Sequence, residues 1–503
     1  MKADIAVSGD TLKVLRGNTA EVPAARAINA TGKVVCPGFI DMHAHSGLVI
    51  LGKPRHEPKV RQGITTEMIG VDGNSYAPML KAEDLEQFID LNAGLDGRPP
   101  EGVRWSTVDE YLDVLDGNIA VNVAYIMGNS PLRISAMGWD DRRPTEGEAR
   151  KQVDLVARGM EEGAWGISTG LTYPPGSYAT TEELIELSRV ADRHGGIYVT
   201  HVRFTLGDRH ADPVQEALDI GTGSGIPVHI SHFNSGWPFP GAHRKLLAMV
   251  DERRSAGLQV TADVYPYIYS STRLESQLPD WAHDGGMPRL IERMSDEAWR
   301  SKLAADPSMQ RRDPTKTLVA NFSLAKYKRY EGKMLADAME GLGKSLVDTL
   351  CDLLLEENFN LVQIGTNGNP VNVRRFLEHP TTMLGSDALL IGEAVSPRTY
   401  GAAPTMLGDL VREEGLLTMA ECIRKLTSLP AQTLGLPDRG MLRDGYKADV
   451  VVFDPETVSS PATIDNPHQF PIGIEYVLVN GTVVVDQGVH TGALPGRALR
   501  RGA

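Results

Sequence analysis

Cysteine is scarce in this 503-residue chain: Cys36, Cys351 and Cys422 lie far apart and form no CxxC spacing. Their number and placement exclude a disulfide framework and a cysteine-rich zinc site. Any metal must then be held by histidine and carboxylate. Long apolar runs are missing too, since none approaches the roughly 18 residues that a membrane span needs. The first twenty residues show neither a basic head followed by an apolar core nor an arginine-rich leader. These absences predict a cytoplasmic protein with no membrane partner. No block of positive charge occurs either: the formal net charge is -14, spread along the chain rather than gathered in a tail. That sign argues against a nucleic-acid surface and for a small neutral or modestly charged substrate.

What is present is ordinary globular composition, 41% apolar and 23% charged, in a chain well above the usual range of about 50 to 250 residues for one domain. A large domain with a smaller accessory one is expected. From about Gly38 to Ala388, short β-branched runs alternate with helical patterns, as in βα units that close into a parallel barrel. The candidate strands are Gly38 to His43, Ile64 to Ile69, Ile119 to Met127, Trp165 to Ser168, Ile197 to His201, Pro227 to His232, Gln259 to Tyr265 and Thr382 to Ser386. Eight is the number a TIM barrel needs; the rival is an α/β protein with another strand order. Among the helices, Thr180 to His194 carries a capping box in Thr180 and Glu183, with Gly195 to end it.

The stretch from Leu278 to His379 is too long for one crossover. It carries its own helix, Ser345 to Glu357, and a strand-like Leu361 to Ile364, so it reads as an inserted lid. Ile5 to Val34 and Gly440 to Val489 are both rich in short β patterns. The expected architecture is therefore a (β/α)8 barrel over 38–439, with the lid at 278–379, and a small β-sandwich built from 1–37 and 440–503.

The chemistry concentrates at strand ends. In Gly38-Phe39-Ile40-Asp41-Met42-His43-Ala44-His45, two histidines sit two apart after an apolar strand, a spacing that puts both on one face. Neutral imidazole is a common zinc ligand. His201 and His232 end the fifth and sixth candidate strands, so four imidazoles gather at the end of the barrel where such enzymes keep their sites. His229, an odd number of residues from His232, is expected to face the helices and be structural. A hydrolase also needs a group to carry a proton to the leaving nitrogen. Asp387, ending the eighth strand, is placed for that, with a helix cap as the plainer reading.

With His43, His45, His201, His232 and Asp387 in this order, the chain resembles the amidohydrolase superfamily. More narrowly, it is similar to the D-aminoacylases, or N-acyl-D-amino-acid deacylases. The likeness runs through Pro37 to His45, Gln62 to Thr66, Glu162 to Gly176, Val199 to Arg203, Ile230 to His232, Asp263 to Tyr267, Gly385 to Asp387 and Ser396 to Gly401. It implies one or two zinc ions, with manganese as the alternative, and hydrolysis of an N-acyl group from an amino acid. Asp72 stands where such relatives place a cysteine ligand, and Asn234 where they place a lysine against the substrate carboxylate. Arg273 is the candidate replacement, and Tyr173 and Ser271 are candidate hydroxyl donors. Asn129 and Ser396 stand where relatives tend to carry histidine. Trp165 to Gly170 holds no lysine, which argues against a carbamylated bridge.

The resulting expectation assigns His43 and His45 to one metal position and His201 and His232 to a second, with Asp72 between or beside them. Asp387 is the proton carrier, and the substrate is a small-molecule amide. Rivals are a hydrolase of a cyclic amide, urea or carbamate on the same site, and a non-catalytic binding protein. A homo-oligomer is compatible with the sequence.

Overall fold

The computed structural model describes residues 3–16, 22–203, 209–233 and 241–502; Asn234 lies outside them. Eight parallel strands form its centre: β1 (Phe39–Ala44), β2 (Ile64–Ile69), β3 (Asn122–Tyr125, continued by Met127–Gly128), β4 (Gly166–Gly170), β5 (Ile197–His201), β6 (Val228–Ile230), β7 (Val260–Val264) and β8 (Thr382–Leu384). They run in chain order through two sheets, one from β1 to β3 and one from the continuation of β3 to β8. The break in β3 at Ile126 separates the sheets. At the other end, Ala44 bridges Ala388 in parallel, and the Asp387 amide donates to the His43 carbonyl at 2.9 Å.

Side chains from distant strands meet on one face of this array. Ile40, Met42, Met68, Ala124, Ile126, Ile197, Val199 and Met383 form one buried cluster, closed by Ala431 and Leu434 of the helix Ser428–Leu434. Residues of β1, β3, β5 and β8 thus share one buried cluster, and the face that carries it is called the inner face. On the outer face, Val228 and Ile230 of β6 pack into the main core with helix residues such as Leu218 and Leu246. The capping signal after β4 takes structural form: the Thr180 hydroxyl accepts from the Glu183 amide at 3.3 Å, the helix runs Thr181–Arg193, and Gly195 follows at φ +69°.

Two further sheets flank the centre. Val34–Pro37 pairs antiparallel with Val450–Phe453, which continues through Ile474–Val479, Thr482–Asp486 and Val489–His490, so segments from both ends of the sequence share one sheet. A separate hairpin, Asp4–Ser8 with Thr11–Leu15, joins it through the Thr11–Lys447 bridge. The short strand Ala498–Leu499 instead pairs in parallel with β3. The inserted region carries the antiparallel sheet Ser270–Arg273, Val362–Gly365, Thr317–Ala320 and Lys333–Met334, which begins ahead of residue 278. Its helix Leu346–Glu356 starts from a Ser345 cap.

Candidate active site

The first two histidines come together for a reason that simple strand alternation misses. Along β1, Ile40 and Met42 lie on the inner face, while Asp41 pairs with Glu67 and meets Lys59 of the helix Glu57–Val60 outside. Alternation alone would turn His43 outward. The register shifts between Asp41 and Ala44, where three steps on β1 oppose two on β2. This bulge re-aims the next side chain, and the His43 ring ends 5.2 Å from that of His45.

His201 and His232 join them. The His43 and His232 rings are 5.1 Å apart, and His201 Nδ1 lies 2.8 Å from His232 Nε2. At the hub is Asp72, from the turn after β2, whose Oδ2 is 3.4 Å from His43, 3.6 Å from His45, 3.5 Å from His201 and 3.7 Å from His232. Asp387 Oδ1 stands 3.3 Å from His45 Nε2 and 3.7 Å from His43 Nε2. Asp72, His232 and Asp387 all hold left-handed backbone, at φ 57°, 33° and 49°. Such conformations cost energy in non-glycine residues and concentrate where function over-determines them.

Whether these residues suit a metal can be judged from their own bonding. Both ring nitrogens of His43 and Oδ1 of Asp72 are buried without a hydrogen-bond partner. Two triplets bring ligand atoms within 4.8 Å of one another, His43 with His45 and Asp387, and His43 with Asp72 and His232. His43 is common to both groups. Burial opposes a charge on His43, yet Asp72, Asp263 and Asp387 outweigh it and hold the imidazole up at about 10. Burial likewise opposes His45, and Asp387, Asp72 and Asp96 raise it. His201 moves the other way, burial prevailing over Asp72. A buried nest of carboxylates that raises imidazoles is a field answered by a cation, and nitrogen with oxygen donors is what zinc accepts.

Each histidine is braced from behind. His45 Nδ1 faces Asp96 Oδ1 at 3.0 Å, and His201 Nε2 faces Thr172 Oγ1 at 2.7 Å. Asp263 of β7 lies 3.5 Å from His43 Nδ1 and accepts the His232 amide at 2.7 Å. The same carboxylate meets His229 Nε2 at 3.0 Å. This corrects the expectation that His229 faces the helices: it pairs laterally with inner-face Val199 and with Thr261, on the same side as Asp263 and Met383. Counting back from His232 fails because β6 ends at Ile230 and His232 has left-handed backbone.

Arg398 is the functional candidate that sequence reasoning passed over, although it lies inside the quoted Ser396 to Gly401 stretch. Fully buried, it places Nη1 3.0 Å from Asp387 Oδ2, donates from Nη2 to Ser271 Oγ at 2.9 Å, and stacks 4.2 Å from the Tyr265 ring. Burial pushes the Asp387 carboxyl up, but Arg398, His43 and His45 hold it well below the usual range. Ser271 therefore sits beside the acid. Tyr173 packs its ring 4.8 Å from that of His201 and shares a hydrogen bond with Thr272 Oγ1 at 2.9 Å. Arg273 lies behind Tyr173, 4.8 Å from its ring, without exposed surface and bonded to Asn92 and Glu275. Asn129 donates to the Gly176 carbonyl at 2.9 Å, while Ser396 Oγ is buried without a partner.

Comparison with known proteins identifies the family. The amidohydrolase family pattern matches residues 26–485. A D-aminoacylase of Alcaligenes xylosoxydans xylosoxydans is 34% identical over 504 residues, covering 100% of this chain and 94% of that protein. The crystal structure of an N-acyl-D-glutamate deacylase from Bordetella bronchiseptica, complexed with zinc and a phosphonate mimic of the tetrahedral intermediate, aligns with TM-score 0.82 and 32% identity, over 99% of this chain and 95% of that one. A D-aminoacylase structure determined for the role of its binuclear metal centre aligns at 0.83 and 33% identity, over 99% and 96%.

Proposed function

The chain belongs to the amidohydrolase family, and from that premise we propose that it is a metal-dependent N-acyl-D-amino-acid deacylase with an altered substrate pocket. The carrying observation is the convergence of four histidines on Asp72 with Asp387 beside them. In this reading the two parallel sheets are one (β/α)8 barrel over 38–439. The bridge from Ala44 to Ala388, and the short step from Asn122–Tyr125 to Met127–Gly128 across Ile126, whose amide donates to the Ile69 carbonyl at 2.9 Å, support its closure. Residues 1–37 and 440–503 build the small β-sandwich, and 278–379 is a lid. The shared sheet of Val34–Pro37 with Val450–Phe453 favours that division.

His43, His45, His201, His232 and Asp72 would hold one or two zinc ions, with manganese as the alternative. The chemistry supplied by such an ion would be a water pKa lowered to about 7 and a polarised carbonyl. Asp387 takes the proton at its Oδ1, which faces the histidines, and returns it to the departing nitrogen. Arg398 fixes Oδ2 and keeps the acid ionised between turnovers. Its Nε is buried without a partner, so Arg398, with Ser271 beside it, is placed to favour an anionic substrate. Tyr173 walls the His201 side, backed by Arg273. In this sequence Asn234 supplies no cation of its own.

A hydrolysis screen of N-acyl D- and L-amino acids, beside lactams and ureas, tests the reading when metal content is measured on the same sample. Release of D-amino acids with one or two metal equivalents bound is expected. Turnover confined to lactams or ureas would move the assignment to a cyclic-amide hydrolase, and a metal-free active protein would end it.

A further inference from the structure

Asp96 lies outside the strands, at the close of the short helix Ala93–Asp96 between β2 and β3. Its carboxylate is 3% exposed and divided between two partners, His45 Nδ1 at 3.0 Å from Oδ1 and the Tyr76 hydroxyl, which donates to Oδ2 at 2.5 Å. On the far side of the imidazole, Nε2 faces Asp72 and Asp387. An imidazole whose Nδ1 donates to a carboxylate keeps its lone pair on Nε2, and such partners fix ring orientation and raise ligand basicity.

Asp96 is itself held from two directions. Tyr76 is fixed by Trp105 Nε1, which donates to its carbonyl at 2.8 Å, and by Phe88, 5.8 Å from its ring. The short helix leans on the inserted sheet. A Cβ on Gly94 would stand 2.2 Å from the Leu361 carbonyl oxygen, and Leu95 packs with Ala320, Val362, Ile364 and Leu389.

We infer that Asp96 is a positioning residue for metal binding: with Tyr76 it sets the tautomer and aim of His45, and it does so from a helix anchored on the inserted sheet. The inference rests on the reading of the histidine cluster as a metal site.

The test is the Zn²⁺ affinity of the full-length metal-free protein, measured by chelator competition, beside its thermal midpoint without metal. Asp96→Asn should weaken Zn²⁺ binding about 10- to 100-fold. Tyr76→Phe should weaken it in the same direction but less, and it decides the matter if Asp96→Asn does not fold. Unchanged affinity in the variants overturns the inference, as does a lowered midpoint with unchanged affinity, since that assigns Asp96 to packing alone. A wild-type protein that binds no Zn²⁺ overturns the metal reading itself, and so separates the two failures.

Discussion

Asp387 shows how one side chain is tuned by its two ends. Oδ1 looks toward His45 and His43, and Oδ2 is held by the Arg398 guanidinium. Asp387→Asn keeps the shape but cannot accept a proton, so turnover should fall by about 10²- to 10⁴-fold while bound metal, counted on the same sample, is retained. Arg398→Met tests the other end. Arg398 favours the ionised acid, so its removal raises the Asp387 pKa. A base must be deprotonated to work, and the acid limb of kcat against pH should therefore move to higher pH; a limb that stays in place would detach Arg398 from the acid. Histidines and acids near strand ends were legible as a group because residues that follow parallel strands gather at one end of the array. Asp96, Asp263 and Arg398 were not, because their meaning arises only when β7, the short helix and the loop after β8 are brought against the histidines.

Among the elements, the parallel strands were legible through apolar runs bounded by turn residues, and their observed ends differ by a few positions from those expected. What alternation could not provide was the bulge in β1 or the departure from regular strand at Ile230, and both decide which histidine faces inward. The inserted sheet was read from its helix and one strand. Its edge strand Ser270–Arg273 lies ahead of the segment that the sequence marks as an insert, and it carries Ser271 to Arg398. The contact of this sheet with the helix Ala93–Asp96 yields a prediction. Gly94→Ala places a methyl group against the Leu361 carbonyl, where backbone rather than a flexible side chain must move. Overpacking of this kind costs typically about 1–3 kcal/mol. Denaturant unfolding should show that loss, with Zn²⁺ affinity falling alongside as Asp96 is displaced; a variant as stable as wild type would mean that the helix slides freely over the insert.

At the scale of the whole molecule, the candidate ligands come from positions as far apart in sequence as His43 and His232, carried on β1, the turns after β2 and β6, and the end of β5. Metal bound by them would therefore close loops of up to almost two hundred residues, in a site that exists only when the strands are assembled. It must stabilise the assembled state over the unfolded chain, by about 2.7 kcal/mol when free metal is a hundredfold above its dissociation constant. For a chain of this length that is about 2–3 °C in Tm. The buried carboxylates act in the same sense, because Asp72, Asp263 and Asp387 gather negative charge around His43 that a cation offsets. Calorimetry should accordingly show a lower midpoint after chelation, restored when Zn²⁺ is returned, with turnover lost and regained in step. A midpoint indifferent to both additions, in protein whose metal content demonstrably changes, would mean that the ion does not join these strands into one cooperative unit.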